Sequence, residues 1–181
     1  TVLMVLGTKD QPSDTGYRPT SDLFESLASI THRGPPFNRP TGVALSSNND
    51  IFVSDGYGNA GVHKFSENGT LLFSWGGPGS GQSQFRLPHS IWVDRQDRVW
   101  VTDRENSRIQ IFATNGDLIS EWTNVFRPTD LCIDENDIVY VSELCRRVSI
   151  FTIDGELIAR WGNEAHETSD PLFLAPHGIA V

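Results

Sequence analysis

Two histidines stand in nearly the same setting, His89 in LPHS and His177 in APHG, each directly after a proline that opens an apolar run. Neutral imidazole is the commonest metal ligand among side chains, so a recurring Pro-His step raises the question of whether the two rings meet at one ion. Tyr57, in DGYGN, and Arg104, in DREN, close apolar runs in comparable positions. A tyrosine beside a cation and an arginine has its phenolate favoured, and a phenolate can act as a general base. Each residue also has a plainer reading: the histidines as turn residues, Tyr57 as a loop aromatic, Arg104 as the ion-pair partner of Asp103 or Glu105. The chemistry depends on whether the chain brings the four to one place.

The elements that must do so form a repeat. Three nearly complete copies run over residues 37–76, 85–122 and 126–162, and a fourth begins as FLAPHGIAV at 173–181. Self-similarity at a period of a few tens of residues marks a repeat architecture. Each copy splits into apolar runs rich in Val, Ile, Phe and Trp, the composition and length of strands. Asn48-Asn49-Asp50, Arg95-Gln96-Asp97 and Glu135-Asn136-Asp137 separate the first two runs, while Asn68-Gly69, Asn115-Gly116 and Asp154-Gly155 separate the last two. Such residues accept the positive φ of tight hairpins, so each copy reads as a four-stranded antiparallel meander. Meanders repeated radially are the blades of an all-β propeller.

On this reading residues 1–7 are the last strand of a preceding blade and 8–36 an inter-blade loop. Residues 37–84, 85–125 and 126–172 are three blades with their outgoing links, and 173–181 the first strand of the next. A closed wheel takes at least about four blades. The expectation is therefore the middle of a six-bladed propeller, completed by further chain or by a second copy. Within the loop, SDLFESLAS predicts one or two helical turns capped by Ser21 or Asp22, and the loop could lid one face with His32 and Arg33 near the start of a blade. His166, in the link 163–171, reads as a solvated loop residue.

Aligning the blade starts places Thr41, His89, Thr129 and His177 at one structural position. First strands line the axis of a propeller, and alternate blades of a six-bladed wheel lie about 120° apart. Histidine on every second blade therefore suits a tris-imidazole metal site with an open position, of which this chain supplies two ligands. The loops that carry Tyr57 and Arg104 end second strands and belong at the same mouth. Asp55, Asp103 and Glu143 recur as candidate hydrogen-bond acceptors between blades, and Trp75, Trp122 and Trp161 as packing.

Bulk properties narrow the function. A formal net charge of −9 and a pI near 4.9 argue against a binder of nucleic-acid phosphates, which needs clustered Lys and Arg. No apolar run reaches the roughly 18 residues that span a bilayer. Cys132 and Cys145 lack metal-site spacing; they could pair within one blade, although two free thiols is the commoner case for sparse cysteines.

Pro40-Thr41-Gly42-Val43-Ala44, Pro176-His177-Gly178-Ile179-Ala180 and Asn106-Ser107-Arg108-Ile109-Gln110 resemble the repeat motifs of NHL propellers. DGYGN, LPHS, DRENSRIQ and APHG further resemble the peptidyl-α-hydroxyglycine α-amidating lyases, a six-bladed branch of that group. The resemblance implies zinc held by His89, His177 and a third histidine outside this chain, Tyr57 as base, and Arg104 tuning it or holding a substrate carboxylate. It implies cleavage of a carbinolamide N–C bond to an amide and glyoxylate, a small peptide-like or hydroxylated amide substrate, and a secreted or periplasmic setting. The chain as given would then be inactive unless another chain completes it. Gly58 and Trp100 stand where the family has cysteines, and Gly178 where it has an aspartate near a structural calcium, which leaves calcium without that carboxylate. A non-catalytic NHL scaffold that binds protein or peptide is the alternative, and a calcium-dependent propeller lactonase or esterase a weaker one, since the mouth position carries His and Thr instead of carboxylates.

Overall fold

The computed structural model describes residues 2, 4–162 and 173–181. Twelve strands form three four-stranded antiparallel sheets in sequential order. The first holds β1 (Pro40–Leu45), β2 (Ile51–Asp55), β3 (Gly61–Phe65) and β4 (Leu71–Gly76). The second holds β5 (Pro88–Val93), β6 (Val99–Asp103), β7 (Arg108–Phe112) and β8 (Leu118–Trp122). The third holds β9 (Pro128–Ile133), β10 (Ile138–Glu143), β11 (Arg147–Thr152) and β12 (Leu157–Gly162). Asn49, Asp97 and Asp137 take φ of 64°, 58° and 61° in the first hairpins, and Gly69, Gly116 and Gly155 take 83°, 88° and 91° in the last. These are the left-handed turns the sequence predicts.

The sheets are propeller blades, packed face to face with β1 against β5 and β5 against β9. The two-residue period of a strand explains the core. Val99 and Val101 of β6 join Phe52, Val62 and Trp75 of the first blade, whereas Trp100 between them joins Leu131, Val139 and Phe151 of the third. Trp75 packs edge-on against Phe112 of the second blade, and Trp122 packs at a tilt against Phe151 of the third, so each bridges to the blade that follows. Trp161, at the equivalent place, is 51% exposed.

Three expectations change in detail. Residues 2 and 4–8 carry no strand, and 173–181 carry none either, because a strand exists only through hydrogen bonds to a neighbour and none lies alongside among the described residues. Asp55, Asp103 and Glu143 accept within their own blades, from the backbone N–H groups of Asn38, of Arg86 and Leu87, and of Phe126. They tie the incoming chain to the end of the second strand instead of linking blades. Arg33 donates to the Gly76 carbonyl, at the end of β4 and not at the start of a blade.

The helix α1 spans Leu23–Ala28 with Asp22 as its cap, accepting from the N–H groups of Phe24 and Glu25. Cys132 and Cys145 are free. The link 163–171 and His166 lie outside the described residues.

Candidate active site

Tyr57 reaches the axis because two glycines beside it permit close approach. A Cβ on Gly56 would overlap the Pro88 carbonyl oxygen, and one on Gly58 would overlap the Asn38 side chain. Loop 8–36 then fixes the turn, with the Thr15 hydroxyl donating to the Gly58 carbonyl at 2.6 Å. Arg104 opens the 3-10 turn Arg104–Asn106, and its backbone N–H donates to Leu87 just ahead of β5. His89 is the second residue of β5 and only 7% exposed. His177 lies in the segment that crosses the third blade as β5 crosses the first, and it is exposed.

The structure brings all four residues together. The His89 and His177 rings stand edge to face with centroids 4.6 Å apart. Tyr57 Oη lies 3.2 Å from His89 Nε2, and Arg104 Nη1 donates to Tyr57 Oη at 3.1 Å. The protons can be assigned. His89 Nδ1 lies 2.6 Å from the Thr129 carbonyl, which can only accept, so Nδ1 carries the hydrogen and Nε2 keeps its lone pair. Tyr57 therefore donates to Nε2.

Burial lowers the His89 pKa from its ordinary 6.5 to about 4, with the nearby Arg104 and His177 charges adding to the effect and the Thr129 hydrogen bond opposing it. The ring is neutral at physiological pH, the form that ligates a metal. A metal at Nε2 would take the lone pair that now accepts the Tyr57 hydroxyl, leaving the phenol oxygen next to the ion. The donor set therefore suits zinc at His89 and His177. Among the described residues no group of three or more His, Cys, Asp or Glu is placed to hold a metal, so a third protein ligand is not among them.

Two further charged residues complete the site: Glu105, which the sequence offers as an ion-pair partner of Arg104, and Arg127, which it does not single out. Glu105, with a side chain 3% exposed, accepts from Arg104 Nε and Arg127 Nη2, each at 2.8 Å. It holds the Arg104 guanidinium so that Nη1 faces Tyr57. Arg127 also stacks over Phe24 of α1, and Arg39 donates to Tyr17, so loop 8–36 flanks the mouth at two arginines. Glu105 was signalled by its place in DREN, whereas nothing in the sequence ties Arg127 to the site.

The NHL repeat family model matches residues 37–65 and 85–112, so the chain carries NHL repeats. It is 33% identical over 118 residues to human NHL repeat-containing protein 3, covering 61% of this chain and 34% of that protein. It is 39% identical over 101 residues to peptidyl-alpha-hydroxyglycine alpha-amidating lyase 1 of Drosophila melanogaster, covering 50% and 19%. It is 45% identical over 85 residues to rat peptidylglycine alpha-amidating monooxygenase, covering 44% and 9%. The chain thus spans about a third or less of the length of these relatives. Among solved structures, a catalytically inactive virginiamycin B lyase of Staphylococcus aureus with quinupristin superposes at a TM-score of 0.58 with 20% identity, covering 77% of this chain and 44% of that one. U3-55K gives 0.58 with 14% identity, covering 68% and 39%. At such identities these likenesses show the propeller fold alone.

Proposed function

We propose that this chain of NHL repeats forms part of the mouth of a metal-dependent carbon–nitrogen lyase of the amidating type, which cleaves a carbinolamide to an amide and glyoxylate. The observation that carries the reading is the continuous hydrogen-bonded line Arg104, Tyr57, His89, with His177 against it. The relatives named as amidating lyases support it. His89, through Nε2, and His177 would hold zinc, with a third ligand from outside the described residues. Bound there, zinc would lower the pKa of a substrate hydroxyl as a Lewis acid.

The chain's own residues do the rest. Tyr57, once its own hydroxyl proton has left to solvent, takes the proton of the α-hydroxyl as general base. The oxygen then forms the aldehyde C=O while the C–N bond breaks toward nitrogen, and the departing amide nitrogen takes the proton back from the Tyr57 phenol. Arg104 keeps a positive charge and a donor beside the phenol oxygen throughout, and a substrate carboxylate finds a guanidinium close to the reacting carbon. His89, neutral and locked through Nδ1, does not compete for the proton.

A non-catalytic scaffold is the second reading, favoured by the match to NHL repeat-containing protein 3, whose name carries no activity. Elemental analysis of the intact protein separates the two. About one zinc per molecule, lost in the His89→Ala/His177→Ala double variant, with glyoxylate released from a peptidyl-α-hydroxyglycine, supports the lyase. In that case Tyr57→Phe should lower kcat by at least about a hundredfold, the scale of a general base. No zinc and no glyoxylate would leave the scaffold.

A further inference from the structure

The alternation of threonine and histidine at the blade starts has a second meaning in the structure. Thr41 Oγ1 is within donating distance of the carbonyl of Pro88, the residue before His89, at 2.6 Å, and Thr129 Oγ1 of the carbonyl of Pro176, the residue before His177, at 2.9 Å; the second-strand serine carbonyls of their own blades are the longer alternatives at 3.2 and 3.0 Å. In both blades a second-strand serine, Ser54 or Ser142, lies 2.9 Å from the threonine hydroxyl, so a serine hydroxyl can donate while the threonine points its own hydrogen across to the next blade. Thr129 goes further. It is fully buried, and its carbonyl is the oxygen that accepts the Nδ1 hydrogen of His89. One residue thus holds His89 by its ring and His177 by its backbone. Asp130, which follows, fastens the same segment again by accepting from Ile179 N at 3.0 Å.

We infer that Thr129 is a positioning residue that sets the two imidazoles against each other. Neither group of Thr129 needs to touch substrate or metal to do this. Its carbonyl chooses the tautomer that leaves Nε2 open, and its hydroxyl fixes where the His177 backbone crosses the third blade. Outer hydrogen bonds of this kind typically carry about 10- to 100-fold in metal affinity. The inference rests on the zinc reading only for that last effect.

The test has a metal-free part and a metal part, both on the intact protein. In the wild type without metal, long-range proton–nitrogen correlation should show His89 as the Nδ1–H tautomer, and ring protons of His89 and His177 should give a mutual NOE; the Nε2–H tautomer would overturn the inference. Thr129→Val keeps a β-branched residue in β9 and removes the hydroxyl; it should lose the NOE, whereas Thr129→Ser should keep it. With zinc titrated against a competing chelator, the valine variant should bind about 10- to 100-fold more weakly and the serine variant within a few-fold of wild type. An NOE and a zinc affinity unchanged in Thr129→Val would overturn the inference. Should Thr129→Val not fold, the wild-type tautomer and NOE still decide. Absence of zinc from the wild type would sink the lyase reading while those two spectra continue to judge Thr129.

Discussion

The first and second blades fill one latch position in different ways. In the second, Arg108 at the start of β7 pairs with buried Asp103 at 2.9 Å and also donates to Ser80, Gly81 and Gln84 carbonyls and to Glu121. In the first, Gly61 holds the equivalent place, and the stem of Arg33 from loop 8–36 fills the space its Cβ would need. Asp55 turns instead to His63 and Asn59, and its second oxygen has no partner among the described residues. The second blade closes on its own side chain, while the first borrows one from the loop that also pins the Tyr57 turn. In the hydrogen-bonded line Arg104, Tyr57, His89, the outer two residues therefore stand on a self-contained blade and Tyr57 on a blade completed by its loop.

The largest effect should come from breaking the self-contained latch. Arg108→Met keeps much of the stem but leaves Asp103 buried without its cation, and burial already pushes the Asp103 carboxyl above its ordinary 3.8. Removing one member of a buried pair costs about 3–5 kcal/mol, so urea denaturation should show a loss of that size. A loss below about 1 kcal/mol would mean that loop 77–84, not the ion pair, closes this blade.

Much of this comparison can be read in the sequence, and its limits are physical. Asn49, Asp97 and Asp137 announced left-handed turns because their side chains tolerate positive φ, and recurring runs of Val, Ile and Phe announced strands. The His/Thr alternation was visible too. What Thr129 does with it was not, because a backbone carbonyl is the same acceptor on every residue and only the fold shows which imidazole meets it. Nor could Gly61 announce Arg33, since the borrowed side chain sits in a loop that the repeat pattern does not align. Gly56 and Gly58 beside Tyr57 serve close approach to Pro88 and Asn38, which no local sequence signal shows.

An intermediate effect concerns acid. The two histidines buried among the described residues differ in company: His63 of the first blade faces the Asp55 carboxylate at 3.3 Å, while His89 of the second faces a carbonyl and a phenol. The folded-state pKa of His89, about 4, lies below the ordinary 6.5 that the unfolded chain would show, so the unfolded chain takes up the proton first as pH falls. The contribution of His89 is complete above about pH 6.5, declines between 6.5 and 4, and is lost below about 4, a total of about 3 kcal/mol. Metal-free protein should therefore lose stability over this window more steeply than His89→Gln, whose amide can still donate to Thr129. Parallel curves for the two proteins would show that His89 is solvated enough to charge without unfolding.

The smallest effect tests the borrowed latch. Arg33 is exposed, and its hydrogen bond to the Gly76 carbonyl at 3.1 Å competes with water. Arg33→Ala should cost no more than about 0.5 kcal/mol, the scale of a surface substitution. Gly61→Ala gives a sharper reading, because its new Cβ would press on Cγ and Cδ of Arg33 and displace the same side chain. The two changes should then be non-additive in a double-mutant cycle, the alanine at 61 costing less once Arg33 is already gone. Additive costs would place Arg33 away from Gly61 in solution. The latch position of the first blade would then hold neither an arginine of its own nor a borrowed one.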